Sequence, residues 1–431
     1  AAASGPDAAL PSLDLRAQDE IRSFMARPDL TDLARRGVAT PDHVIRTKGH
    51  PLLLDRATLA KGAEAMRTAT LAFAEDYRAY FDRQAPRHGG TKRMLDPMPG
   101  LVWIEGAGLV GVGADATAAR IAADIGVQTT RVMRDGEANG GFRPIGEADL
   151  FDMEYWSLEQ AKLGKGKPAP LRGRVVLVTG GAGAIGRATA RAFRSAGATI
   201  FLVDRDGDAL AAAIAELGQD CGGLACDITA PGAPADAVAA CVARFGGLDI
   251  LVSNAGAAFT GEVATLPDAL LRQSFELNFF AHQAFAQAAI AVFRGQTSGR
   301  GGRPQGDAGQ ILINVSKQAV NPGKGFAAYG LPKATTFFLL RQLALELGAE
   351  GIRVNGVNAD RIRSGLLTDE MIAKRSAARG LDVAAYMGGN LLGREVEARD
   401  VAEAFVALAL ARRTTAHVMT VDGGNIEAAL R

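Results

Sequence analysis

The sequence predicts an α/β protein, a doubly wound parallel sheet preceded by a smaller α+β unit. Three observations lead there. From Val175 onward, short apolar runs alternate with helical patterns, the sign of an open parallel sheet covered on both faces. Gly181-x-Gly183-x-x-Gly186 lies between the first such run and a helical one, where a backbone must approach an anion closely. In the first half, a strand-turn-strand-helix pattern spans residues 101–137.

Length and charge set bounds. A chain of 431 residues suggests two or three domains. A net charge of +1 gives no electrostatic case for nucleic acid or a membrane surface. No apolar run approaches a membrane span, and the start, Ala1-Ala2-Ala3-Ser4-Gly5, lacks a Met and a signal region. A cytoplasmic protein is expected, and the chain reads as a piece of something longer. Cys221, Cys226 and Cys241 lack metal-ligand spacing and are expected to be reduced, buried thiols.

Residues 1–36 read as short helices and linker. Asp55 is an expected N-cap for one long helix from Arg56 to Gln84. Leu101-Val102-Trp103-Ile104-Glu105 and Leu109-Val110-Gly111-Val112-Gly113 read as strands around the turn Gly106-Ala107-Gly108, and Asp115 caps the next helix. This stretch resembles the end of class II aldolase/adducin-type domains. Their turn carries a zinc-ligating His where Ala107 stands here. His43, His50 and His88 show no ligand spacing, so the first half is expected to be a metal-free, aldolase-like remnant. Asp149 to Gln160 is amphipathic and expected to dock on a domain. The linker Gly164-Lys165-Gly166-Lys167-Pro168-Ala169-Pro170 sets the expected boundary, with domains at 1–164 and 165–431.

The first strand of the second half, Val175–Val178, runs into Thr179-Gly180-Gly181-Ala182-Gly183-Ala184-Ile185-Gly186. Glycines there admit a pyrophosphate, and the helix N-terminus stabilises its charge. The second strand ends in Asp204, whose carboxylate can hold ribose hydroxyls and repel a 2′-phosphate, favouring NAD over NADP. Arg205 beside it could instead pair with that phosphate. Asp227-Ile228 follow the third strand, and Ser253-Asn254-Ala255-Gly256 follow the fourth.

Tyr329 and Lys333 lie four apart, on one helix face. An ammonium beside a phenol favours the phenolate, making Tyr329 a candidate base. A solvated Tyr and Lys would show the same spacing. Pro332 places the helix start close to Tyr329, because proline is tolerated in the first turn.

Residues 172–431 together resemble a short-chain dehydrogenase/reductase, which implies a Rossmann-like sheet behind a smaller α+β aldolase-like domain. The family's glycine-rich loop matches Thr179 to Gly186, with Ala184 for its middle Gly. Its Asn-Asn-Ala-Gly appears as Ser253 to Gly256. The resemblance implies Asn278, Ser316, Tyr329 and Lys333 as the catalytic set. It also implies Gly180, Gly181, Gly183, Ala184, Ile185, Gly186, Asp204, Asp227, Ile228, Asn254, Ala255, Gly256, Tyr329, Lys333 and Ser364 around NAD. Spacing to Tyr329 favours Ser316 as the family's Ser, whereas the preceding Asn-Val pair would place Lys317 there. In place of the family's Pro-Gly stands Asn358-Ala359-Asp360-Arg361-Ile362-Arg363-Ser364. Arg361 and Arg363 could read a polar or anionic substrate, or form a local Asp/Arg pair. Met371 to Asn390 would form a flap, and the closing Val421-Asp422-Gly423-Gly424 implies a subunit contact in a homo-oligomer, a dimer or tetramer.

Both halves resemble the C-terminal part of bifunctional aldolase/short-chain dehydrogenase proteins, some of which split rhamnulose 1-phosphate and oxidise L-lactaldehyde to lactate. The implied partner is a small carbonyl or alcohol. A polyol or sugar-phosphate dehydrogenase and a non-catalytic NAD-binding scaffold are the other readings.

Overall fold

The computed structural model describes residues 10–162, 168–299, 308–365 and 367–425. It divides into two compact units, Leu10–Pro168 with Arg244–Gly246, and the remainder. The expected boundary at 164/165 lies outside the described residues.

The first unit is built on a four-stranded sheet. Its strands are β1 (Ser12–Arg16), β2 (Leu52–Leu54), β3 (Leu101–Ile104) and β4 (Gly108–Gly113), in the order β1-β4-β3-β2. The expected β3–turn–β4 pair forms, with Trp103 opposite Leu109. Trp103 is fully buried, with Phe24 edge-on to its ring. Two strands were not expected. β1 buries Ser12 and Asp14 and leaves Leu15 exposed, the reverse of an amphipathic strand. β2 is only three residues long. Asp55 caps as expected, accepting from the Thr58 amide at 2.7 Å. The helix it starts stops at Ala60, and α1 (Ala63–Gln84) begins afresh because Gly62 takes a φ of 83°. Asp115 caps α2 (Ala116–Ala138). The amphipathic stretch near Asp149 forms two short helices, and Phe151 and Tyr155 bury against Ala85.

The second unit is a seven-stranded parallel sheet among the described residues. Its strands are β5 (Val175–Thr179), β6 (Thr199–Asp204), β7 (Cys221–Ala225), β8 (Ile250–Ser253), β9 (Gly309–Asn314), β10 (Ile352–Ala359) and β11 (Val418–Val421). The order β11-β10-β9-β8-β5-β6-β7 reverses direction between β5 and β8. Ligands of such sheets bind at the carboxyl ends of strands beside that reversal. Helices cover both faces. On one lies α3 (Ala184–Ser195), whose Phe193 shares a core with Val176, Ile200 and Phe405. On the other lie α4 (Ala281–Gly299) and α5 (Ala327–Leu347). They pack so closely that a Cβ on Gly309 would come within 2.3 Å of the Phe293 ring, and one on Gly356 within 2.6 Å of Leu340. Two further helices, α6 (Asp369–Ala377) and α7 (Val383–Met387), occupy most of the stretch from Met371 to Asn390, and α8 (Ala398–Leu410) carries Phe405.

Two details depart from expectation. Pro332 is the sixth residue of α5, in its second turn, where it cannot donate to the Ala328 carbonyl. Cys221 and Cys241 are buried, whereas Cys226 is only partly so.

Candidate active site

The glycine loop follows β5 and leads into α3. Gly180 takes a left-handed φ of 65°. A Cβ on Gly186 would sit 2.0 Å from the Gly180 carbonyl oxygen, so the loop closes only with glycine there. A Cβ on Gly183 would meet nothing nearer than 3.4 Å. The loop therefore presents an open concave backbone at a helix N-terminus, which fits a pyrophosphate. Ala184 is exposed, so its extra methyl is accommodated without a clash. Asp204, ending β6, accepts from the Ala182 amide at 2.9 Å and stands beside this loop. Asp227 is held below the usual carboxylate range by the Thr229 amide and hydroxyl.

A string of hydrogen bonds crosses the sheet's carboxyl edge. The Thr179 hydroxyl accepts from the amides of Asn254 and Ala255. The Asn254 side chain donates to the Thr179 carbonyl and accepts from Asn314 Nδ2 at 2.8 Å. The Asn314 carbonyl accepts from Lys333 Nζ at 2.9 Å. The string thus runs from β5 through β8 and β9 to α5.

Tyr329 lies in the first turn of α5, and Ser316, just beyond β9, stands close enough to favour its phenolate. This geometry favours Ser316 over Lys317 as the partner of Tyr329, because Lys317 turns instead to Asp360 Oδ2 at 3.4 Å. Lys333 is buried with its Nζ 5.9 Å from the Tyr329 ring centroid. The electrostatics differ from the expectation that Lys333 lowers the phenol. Burial pushes Tyr329 above its ordinary pKa, and the neighbouring Ser316 hydroxyl opposes that in part. Burial also depresses Lys333, from 10.5 to about 8. Desolvation of both groups outweighs their mutual effect.

Asn278 sits on a single π-helical turn, Glu276–Phe280, and is fully buried. Its side chain donates to the Ala257 carbonyl and Ser274, and accepts from the Ala257 amide. Its own carbonyl accepts from Thr336 at 2.6 Å. These bonds fix the loop carrying Gly256, where a Cβ would reach within 2.8 Å of Asn278 Oδ1.

Sequence reasoning missed His282. It is buried, with Nδ1 2.6 Å from Ser253 Oγ, beneath the Ser253–Gly256 loop. Burial, and then the nearby Lys333 ammonium, hold its pKa well below 6.5. The signal was present, since His282 follows Asn278 by four residues and Ser253 replaces an Asn of the motif.

The residues after β10 divide. Ser364 donates to the Ile362 carbonyl at 3.1 Å. Arg361 bonds the Tyr386 carbonyl. Arg363 lies at the surface between Glu395 and Asp369. Ion pairing of Arg363 to these two carboxylates matches the local Asp/Arg reading of that residue.

Residues 174–376 match the short chain dehydrogenase family model. The chain belongs to the short-chain dehydrogenase family. Residues 2–163 match the model described as aldolase class II, second domain, so the likeness extends beyond the strand-turn-strand stretch that first suggested it. An uncharacterized oxidoreductase, YuxG, of Bacillus subtilis is 28% identical across 94% of the chain. The chain spans 60% of that relative's length. A cis-2,3-dihydrobiphenyl-2,3-diol dehydrogenase of Paraburkholderia xenovorans is 30% identical, over 59% of this chain and 91% of that one. A 3-ketoacyl-(acyl-carrier-protein) reductase structure from Brucella melitensis, complexed with NADH, is 27% identical, with a TM-score of 0.53, covering 59% of this chain and 99% of that one. In the first unit, Ala107 occupies the turn where the aldolase-type ligand would stand, and it is exposed. Among the described residues, no group of His, Cys, Asp and Glu could hold a metal ion. Nor is any described helix long and apolar enough to cross a membrane.

Proposed function

We propose that the second unit is an NAD-dependent dehydrogenase acting on a small hydroxy-aldehyde or alcohol, with L-lactaldehyde oxidised to lactate as the favoured reaction. The observation that carries this reading is the grouping of the Tyr329 phenol with Ser316 beside it and the buried Lys333, whose Nζ lies 5.9 Å from the ring centre. A bound nicotinamide accepts or supplies the hydride. Tyr329 takes the proton from the substrate hydroxyl, or returns it, as general base or acid. Ser316 donates to the substrate oxygen and stabilises charge developing there. Lys333, fixed by the Asn314 carbonyl, adds positive charge beneath the phenolate as it forms. Asn278 and His282 hold the Gly256 side of the site. For lactaldehyde the reacting species is the hydrate, whose hydroxyl proton passes to Tyr329 as its carbon-bound hydrogen leaves as hydride.

NAD rather than NADP is favoured by Asp204, whose carboxylate sits beside the glycine loop. Residues 1–164 serve assembly rather than metal-assisted chemistry in this reading. A homo-oligomer is favoured by the apolar stripe on α5, where Leu331, Phe338 and Leu345 are exposed at intervals of seven.

NADH formation from L-lactaldehyde, sorbitol 6-phosphate and unphosphorylated polyols, with NAD and NADP in parallel, tests the substrate and cofactor. Tyr329→Phe should bind NADH normally and lose at least ~100-fold in turnover. Near-wild-type turnover in that variant removes Tyr329 as the acid/base. Cofactor binding without turnover across the whole panel leaves the scaffold reading instead.

A further inference from the structure

Arg361 has a left-handed backbone, with a φ of 53°, which is costly for a residue bearing a side chain. Such strain persists where side-chain contacts over-determine it. Here they converge on α7. The Arg361 guanidinium donates to the Tyr386 carbonyl at 2.6 Å and lies 5.0 Å from the centre of the Tyr386 ring. Arg379 lies 5.3 Å from the same ring. Gly389 leaves room for the guanidinium, since a Cβ there would come within 2.9 Å of Arg361 Nη1.

Asp360 extends the network toward the site. Its Oδ2 accepts from Asn425 Nδ2 at 2.6 Å and lies 3.4 Å from both Arg361 Nε and Lys317 Nζ. Lys317 directly follows Ser316. The α6–α7 segment has a small core of its own, formed by Leu367, Ile372, Tyr386 and Met387. A segment with so few apolar anchors depends on side-chain contacts to stay down. Other contacts on it are the exposed ion pair of Arg363 to Asp369, the first residue of α6, and Arg375, 5.0 Å from the centre of the Phe326 ring at the residue before α5.

We propose that Arg361 is a positioning residue that clasps the α6–α7 segment beside Tyr329 and, through Asp360 and Lys317, couples its closed position to Ser316. The guanidinium is spent on the Tyr386 carbonyl and Asp360, so it acts on the segment and not as a ligand of the substrate. This inference rests on the reading of Ser316 and Tyr329 as the reacting pair.

Arg361→Gly separates the two parts of the idea in the full-length protein, because glycine keeps the left-handed backbone and removes only the clasp. Trypsin should cut Arg361→Gly after Arg375 and Arg379 at least ~5-fold faster than wild type, NADH fluorescence should report an unchanged Kd, and KM for L-lactaldehyde should rise about tenfold with kcat held within about threefold. Lys317→Met should raise KM less, and add little to Arg361→Gly, since the two share Asp360. Arg361→Lys keeps the charge without the planar fork and should behave like Arg361→Gly. Wild-type proteolysis with an unchanged KM overturns the clasp. So does a raised KM with wild-type proteolysis, which would make Arg361 a direct substrate ligand. Proteolysis and NADH binding need no turnover, so a Tyr329→Phe variant that stays active would refute the reaction assignment and leave the clasp to be judged separately.

Discussion

Lys333→Met removes an ammonium that the fold buries at a cost, so the variant should lose catalysis and gain stability near neutral pH. The magnitude follows from the depression of Lys333 from 10.5 to about 8 by burial. Near pH 7 the charged side chain costs the native state about 3 kcal/mol, at ~1.4 kcal/mol for each tenfold change. Loss of the hydrogen bond to the Asn314 carbonyl offsets roughly 1 kcal/mol of the gain. The pH dependence is the sharper reading, because that loss does not titrate. Between about 8 and 10.5 the unfolded lysine binds more protons than the native one, so wild-type stability rises with pH relative to the variant. By about pH 10 the cost has fallen to roughly 1 kcal/mol, and wild type should have recovered about 2 kcal/mol on the variant. Urea unfolding of the cofactor-free proteins at both pH values measures this. Trp103 and Trp156 are the two tryptophans, and both lie in the first unit, so their fluorescence follows that unit, and far-UV circular dichroism, to which both units contribute, adds the unfolding of the second. A stability difference that stays the same at both pH values would refute the desolvated lysine.

Gly186→Ala places a methyl 2.0 Å from the Gly180 carbonyl, so the loop must open. NADH binding by fluorescence should fall at least ~100-fold with circular dichroism unchanged; a loss below threefold would mean that the loop does not cradle the cofactor. Phe338→Glu with Leu345→Glu charges the exposed stripe of α5. Light scattering should show wild type as an oligomer and the double variant at the chain mass of 44.8 kDa, and a monomeric wild type would refute this use of the stripe.

The features legible in the sequence were those in which one residue type answers one local demand. The loop needs glycine at Gly186 for a close backbone contact, and only a backbone contact explains it. The Tyr329–Lys333 pair follows from helix periodicity. What could not be read was anything set by burial. The spacing of Tyr329 and Lys333 suggested that the ammonium would lower the phenol, but desolvation raises one and depresses the other. β1 escaped notice because Ser12 and Asp14 face inward while Leu15 faces out. The break at Gly62 and the second-turn position of Pro332 are tertiary choices that override local preference.

Three departures from the family pattern had stood apart in the sequence: Lys317 after the Ser, Pro332 before the Lys, and the arginines after β10. Two of them meet in space. Lys317 and Arg361 come to the same Asp360 oxygen from the ends of β9 and β10. Parallel strands make this possible, because their carboxyl ends converge on one edge whatever their separation in the chain. The same geometry strings Thr179, Asn254 and Asn314 into the chain of bonds that ends on Lys333. One set of strand ends thus leads to Lys333, and a second, through Asp360 and Arg361, reaches Tyr386 on α7. Arg363, two residues beyond Arg361, turns to the surface carboxylates of Glu395 and of Asp369, the first residue of α6. Its ion pair to α6 is exposed and worth little, so under the proposed clasp replacing Arg363 should raise KM far less than replacing Arg361.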